Sequence, residues 1–360
     1  MKQRRGMFAL FVSIVLVSSI GLLAQNKDDK KRDDAQKKEI QNIVKIVDDA
    51  AAGQAAANDL SLTWLREDVL KAQGNKEYVP FTVSVDPSKV TGDKVAFYWR
   101  VVAKNGAAPE AAPAPGAKKD DKKDDKKKDD KGKKAEYAYE DISFVPVTPG
   151  QNPLHIARSF TVAAGTYDVF LVAKEPTPDK APKNAPPPKV SLVKQTITVP
   201  DFWNGDLATS SVIIAQRIDP LATPLTPQQQ ADRPYALGQM EIVPTFDTKF
   251  TKKSELSTFM LIYNPKVDAN NKPDVTVEYN FYQKPAGQPE KFFNKTNPQN
   301  LNAQTLPPQF DLAAGHQLQS GQAVPLASFP EGDYRLEIKV TDKIANKTLT
   351  RELNFTVTPS

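Results

Sequence analysis

A mainly β chain of two tandem immunoglobulin- or fibronectin-like β-sandwiches, preceded by an N-terminal signal and a short amphipathic helix, is predicted by three observations. From Leu60 onward, short runs alternate apolar with polar residues and are broken by turn residues. The order of those runs returns a second time further along the chain. Proline is abundant, at 30 of 360 residues, which suits turns and edge strands and disfavours helix interiors.

The elements follow in order. Lys2, Arg4 and Arg5 precede an uncharged apolar run from Met7 to Ala24, the pattern of a secretory signal over residues 1–25. Cleavage after Ala24 or Gln25 is expected; the alternative is an uncleaved anchor, since the run just reaches spanning length. Residues 26–38 are a mixed-charge tail with nothing to bury, expected to be disordered. Over 39–58, Ile40, Ile43, Val44, Val47, Ala50 and Ala51 recur at helical spacing, a stripe that docks either on the first sandwich or on a partner. Residues 59–200 form the first sandwich, with seven strands. Val95, Phe97, Trp99 and Val101 share one face of its third strand. An insert over 105–136 and a Pro-rich loop over 175–189 interrupt it; the first holds Lys/Asp blocks that cannot form a core. Residues 201–237 are a linker with an opening strand at Ser210–Ala215, and 238–360 form the second sandwich.

The duplication carries a physical signature. Gly165-Thr-Tyr167 and Gly332-Asp-Tyr334 each open an alternating strand followed by a last strand. A tyrosine just past such a turn can fold back onto backbone as a corner residue, so Tyr167 and Tyr334 are the candidates; an ordinary exposed strand tyrosine is the alternative.

Composition narrows the function classes. There is no cysteine, so disulfides, thiolate nucleophiles and cysteine–metal clusters are excluded. The net charge of +5 is concentrated in the signal, the tail and the insert, leaving a mildly acidic remainder. A nucleic-acid binder needs a basic face on its folded surface, so none is expected.

Motifs for chemistry are sparse. The two histidines, His155 and His316, fall one in each repeat, and no nucleotide-binding, nucleophile-elbow or zinc-helix pattern occurs. No catalytic residue, cofactor or metal is therefore assigned. Asp268-Ala-Asn-Asn-Lys-Pro-Asp274 crowds oxygen ligands in a turn, but a tight hairpin wants the same residues for backbone reasons. Phe202-Trp203, just past the first sandwich, is the candidate contact for a partner or a glycan, the competing reading being that the pair fills an interdomain groove.

The stretches Glu77–Pro87, Leu207–Ala215 and Phe329–Lys343 resemble uncharacterised secreted bacterial proteins with immunoglobulin-like modules, some of which also bear a GWxTD domain. That motif is absent here; Phe202-Trp-Asn-Gly-Asp206 is not one. The resemblance implies export and a sandwich fold and no activity. The expected function is that of an exported, periplasmic or extracellular, non-enzymatic interaction or scaffold module. Its partner is then another envelope or secreted protein; a carbohydrate-binding or carbohydrate-cleaving protein is the alternative. Membrane contact is expected only if the signal is retained.

Overall fold

The computed structural model describes residues 27–104, 137–148, 150, 152–177 and 184–359, with residues 27–36 as helix backbone. The expected signal, the insert over 105–136 and residues 178–183 of the Pro-rich loop lie outside the described residues. The chain is mainly β and divides into two compact units, one ending at Asp206 and the other running from Leu207.

The first unit comprises α1 (Lys27–Ala51), β1 (Thr63–Glu67), β2 (Leu70–Lys71), β3 (Glu77–Val85), β4 (Lys94–Ala103), β5 (Tyr139–Pro146), β6 (Leu154–Val162), β7 (Gly165–Lys174) and β8 (Val190–Val199). One sheet places β3 between β6 and the pair β1 and β2; the other runs β5-β4-β7-β8, and every pairing is antiparallel. The side chains between the sheets are aromatic. Phe81 stacks on Trp64 at 5.2 Å and also meets Phe97, Trp99 and Phe160 within 6.4 Å. Phe81 and Phe97 are fully buried, and most residues of β3 and β4 are buried on both faces.

The second unit comprises β9 (Ala208–Thr209), β10 (Ile213–Pro220), α2 (Pro227–Asp232), β11 (Ala236–Leu237), β12 (Met240–Pro244), β13 (Lys249–Thr251), β14 (Glu255–Tyr263), β15 (Val275–Lys284), β16 (Lys291–Lys295), β17 (Gln299–Leu301), β18 (Leu318–Pro325), β19 (Gly332–Asp342) and β20 (Lys347–Thr358). One sheet runs β11-β12-β10-β14-β18 and the other β13-β20-β19-β15-β16; β9 joins β14, and β17 joins β15. Its core gathers Phe281, Phe329, Tyr334 and Phe355, with Phe281 edge-on to both Phe329 and Phe355. Close backbone approach matters at Gly321, where an added Cβ would lie 2.9 Å from the Thr258 carbonyl oxygen across the β14–β18 ladder.

The pairing scheme repeats. β3–β6, β4–β5, β4–β7 and β7–β8 of the first unit have their counterparts in β14–β18, β15–β16, β15–β19 and β19–β20. The repeat breaks on one face. Along β4, Ala96 and Tyr98 are buried as well as Val95, Phe97 and Trp99, so both faces of this strand are covered. Helix α1 provides the cover: Ile43 and Val47 pack on Ala96, Tyr98, Phe170, Val172 and Leu192. The matching outward positions of the second unit are Thr276, Glu278, Glu337, Lys339 and Thr350, which need no cover. Polar fastenings fix the register of α1. Buried Glu39 pairs with buried Lys174 and accepts from Thr177 Oγ1 at 2.9 Å; Arg100 Nη1 reaches Asp48 at 2.7 Å.

Three expectations are corrected here. The helix begins at Lys27, so the expected disordered tail over 26–38 is helical backbone from residue 27. Nucleation is the costly step in helix formation, and once Ile43 and Val47 are seated each further turn costs little. It ends at Ala51 rather than 58, because Gly53 takes φ +93° and its N–H bonds back to Ala50. Finally, the stretch over 201–237 holds its expected opening strand, as β10 (Ile213–Pro220), but also β9, α2 and β11, so it is part of the second unit and not mainly a linker. β9 pairs with β14, and β10 pairs with both β14 and β12, helped by a register shift between Ala215 and Arg217.

Candidate interaction sites

The two Gly-x-Tyr tyrosines make equivalent bonds. Tyr167 Oη donates to the Ala163 carbonyl at 2.8 Å, and Tyr334 Oη donates to the Pro330 carbonyl at 2.7 Å, each four residues upstream. Burial pushes both phenols above their ordinary pKa, the Glu77 charge adding to the effect at Tyr167. Replacing either by Phe leaves a carbonyl at a strand-to-strand corner without its donor. A loss of about 1–3 kcal/mol in the stability of the corresponding unit is expected by chemical denaturation.

Phe202 and Trp203 fold back on the β2–β3 hairpin of their own unit. Phe202 is buried, and its N–H donates to Glu77 Oε1 at 3.2 Å. Trp203 is 39% exposed; its indole Nε1 donates to the Lys76 carbonyl at 3.1 Å, and the Lys71 ammonium lies 4.2 Å from the ring centroid. The Asp201 carboxylate accepts from Trp203 N at 2.7 Å. Four intramolecular fastenings thus hold this turn, and a cation occupies one face of the indole.

The other sequence candidates have local partners. His316 accepts at Nδ1 from Asp311 N, 3.0 Å away, and stands beside Phe310 in a loop of the second unit. His155 is an exposed residue of β6 in the first. In the Asp268–Asp274 turn, Asp268 Oδ1 accepts from Asn270 N and Lys272 N, which holds its carboxyl below the ordinary range. Lys272 Nζ is spent on the carbonyls of Pro308 and Phe310. This is the hydrogen bonding of a tight turn. Among the described residues no group of three or more His, Asp or Glu is placed to hold a metal.

One surface was not singled out by the sequence. On the uncovered face of β15, β16 and β19, Phe292 is 55% exposed and stands edge-on to Tyr282 at 5.8 Å. The Arg335 guanidinium lies 4.4 Å from the Tyr282 ring centroid. Its fork is fixed by Glu290, Glu352 and Glu337, at 2.5, 2.6 and 3.3 Å. The bond from Arg335 holds the Glu290 carboxyl below its ordinary pKa. The result is an aromatic–arginine row on the open face of the sheet. The sequence signal was faint: Phe292 sits in a five-residue strand, and Arg335 is one outward position on a strand read only for its tyrosine.

No helix among the described residues is long and apolar enough to cross a membrane. No family model matches the chain, and no curated protein matches it. Among solved structures it is similar to Salmonella alpha-2-macroglobulin reacted with methylamine, at 13% identity over 84% of this chain and 17% of that one, TM-score 0.20. It is also similar to trypsin-activated alpha-2-macroglobulin from Escherichia coli, at 12% identity over 85% of this chain and 17% of that one, TM-score 0.20. The native E. coli form gives 10% identity over 85% and 16%, again with TM-score 0.20. The chain therefore spans about 17% of the length of the first two. At that TM-score the likeness carries no argument about this chain.

Proposed function

We propose that the chain is an exported, non-enzymatic β-sandwich protein that serves as an interaction or scaffold module, its partner being another protein of the envelope or secreted space. The observation that carries this reading is the Phe292–Tyr282–Arg335 row. Tyr and Arg are among the residue types that dominate binding energy at protein interfaces, and here Tyr282 and Arg335 are held by each other, by Phe292 and by Glu290 without any partner. An open sheet face with a 55% exposed Phe292 suits a macromolecular partner better than a small ligand, which needs a concave pocket. The apolar N-terminal run supports the export half of the reading.

The test is paired capture from the envelope fraction of the source cell. Wild type is expected to retain one stoichiometric protein, and Phe292→Ala and Arg335→Ala to weaken its binding by at least 1.4 kcal/mol, roughly tenfold in affinity. Trp203→Ala is expected to leave it unchanged. Binding on a glycan array that Trp203→Ala abolishes, with no protein retained, would establish the carbohydrate alternative instead.

A further inference from the structure

Among the described residues of the first unit, Glu77 is a buried acid whose hydrogen bonding is incomplete. It opens β3, is fully buried, and spends Oε1 on the Phe202 N–H at 3.2 Å. Its other oxygen, Oε2, is buried with no hydrogen-bond partner among the described residues. An ionised carboxylate in that position loses its hydration and recovers only part of it. The oxygen is too enclosed for a ligand, but a proton reaches it whenever the turn opens. We propose that Glu77 is a proton-operated latch on the Asp201–Trp203 turn: protonated it keeps the turn closed, and ionised it favours local opening, where the carboxylate regains water.

The charged and titratable groups around it define the response. Lys71, on β2, favours the ionised form, and Asp201, in the turn itself, opposes it. Tyr167, on β7, also senses the Glu77 charge. Burial is the largest influence, and the net effect raises Glu77 above the ordinary carboxylate range. The sign follows by linkage. A group whose folded pKa is raised contributes its full stabilisation below the ordinary value, and that contribution is lost as pH climbs through the raised value. The opening constant should therefore be flat in acid, rise by up to about tenfold per pH unit between the ordinary and the raised value, and level off above it.

The experiment is amide and indole hydrogen exchange of the Phe202 N–H and the Trp203 Nε1–H, followed by NMR in the full chain between about pH 4 and about pH 8. Dividing wild-type protection by that of Glu77→Gln at the same pH cancels the intrinsic pH dependence of exchange. The ratio is expected to fall with rising pH; a constant ratio overturns the latch. Should Glu77→Gln fail to fold, the wild-type midpoint is compared with two neighbours. Lys71→Met is expected to raise the midpoint and Asp201→Asn to lower it. Two unmoved midpoints, or shifts of the opposite sign, overturn the proposal.

Discussion

Ile43→Asp is expected to strip α1 from the first sandwich. Ile43 and Val47 are fully buried against Ala96, Tyr98, Phe170, Val172 and Leu192, a patch that belongs to the outward face of a sheet. Burying one such side chain contributes about 1.5–3 kcal/mol. A carboxylate there has no cation opposite it, since the nearby positive groups, Arg100 and Lys174, already serve Asp48, Glu140 and Glu39. The cost of the substitution combines the lost apolar contact with an unpaired charge, about 3–5 kcal/mol if the helix stays in place. A single amphipathic helix is marginal in water, so detachment is the cheaper outcome. Far-UV circular dichroism should then lose helical signal while the strand signal persists. The bared face should bind a hydrophobic dye, as large exposed apolar patches do. Unchanged helical signal and unchanged stability would show that the docked stripe contributes nothing.

That docking face also shows how far the sequence could be read. The alternation of Val95, Phe97, Trp99 and Val101 announces a strand with one face on a core, and this face lies between the sheets. Of the residues alternating with them from Ala96 to Val102, Ala96, Tyr98 and Val102 are apolar or aromatic and only Arg100 is charged, a sign of a strand covered on both sides. With an amphipathic helix upstream and no similar residues in β15, the need for a cover was legible and the helix was a candidate for it. The sequence could not say whether the helix was kept in its own unit, because a stripe of Ile and Val is complementary to any apolar face. The start of α1 was hidden for a different reason: propagation from a docked segment leaves no trace in composition. The opening strand was legible up to Ala215, but its continuation to Pro220 was masked by the register shift there, after which Gln216, Arg217 and Ile218 are all exposed and break the alternation.

The candidate sites divide along the same line. Gly-x-Tyr is a local signal, and the tyrosine bonds at both corners close over four residues, so sequence spacing reaches them. Phe202 and Trp203 were visible as aromatics, but their partners Glu77, Lys76 and Lys71 are more than a hundred residues away. Only the fold brings them together. The Phe292–Tyr282–Arg335 row is assembled across three strands, which no short window contains. Glu77 is one of 43 acidic residues. The one hint was its place as the only charged residue of a strand that is mostly apolar and almost wholly buried.

Lys174→Met is expected to be among the most damaging single changes in the chain, and a second substitution should rescue it. Lys174 and Glu39 are each less than a tenth exposed, so neither charge has water to fall back on. Removing one partner of such a pair leaves the other as a buried, uncompensated ion, a loss of about 3–5 kcal/mol. Glu39 keeps some compensation from Thr177, whose N–H and hydroxyl both donate to Oε2, at 3.3 and 2.9 Å. Lys174 keeps the Glu175 carbonyl at 3.0 Å and the Thr177 hydroxyl at 3.3 Å. Each ion thus keeps two neutral partners when the other is removed, so Glu39→Leu should cost about as much as Lys174→Met. The double variant Glu39→Leu/Lys174→Met removes both ions and puts aliphatic volume in their place. Well-packed apolar replacements of buried pairs are often neutral or stabilising, so its stability should return to within about 1 kcal/mol of wild type. A thermodynamic cycle over the four proteins by denaturant unfolding measures the coupling directly. Additive losses, with the double variant as unstable as the sum of the singles, would mean that the two charges do not face one another across the α1–β7 contact. The position of the helix on the sheet would then be set by Ile43 and Val47 alone.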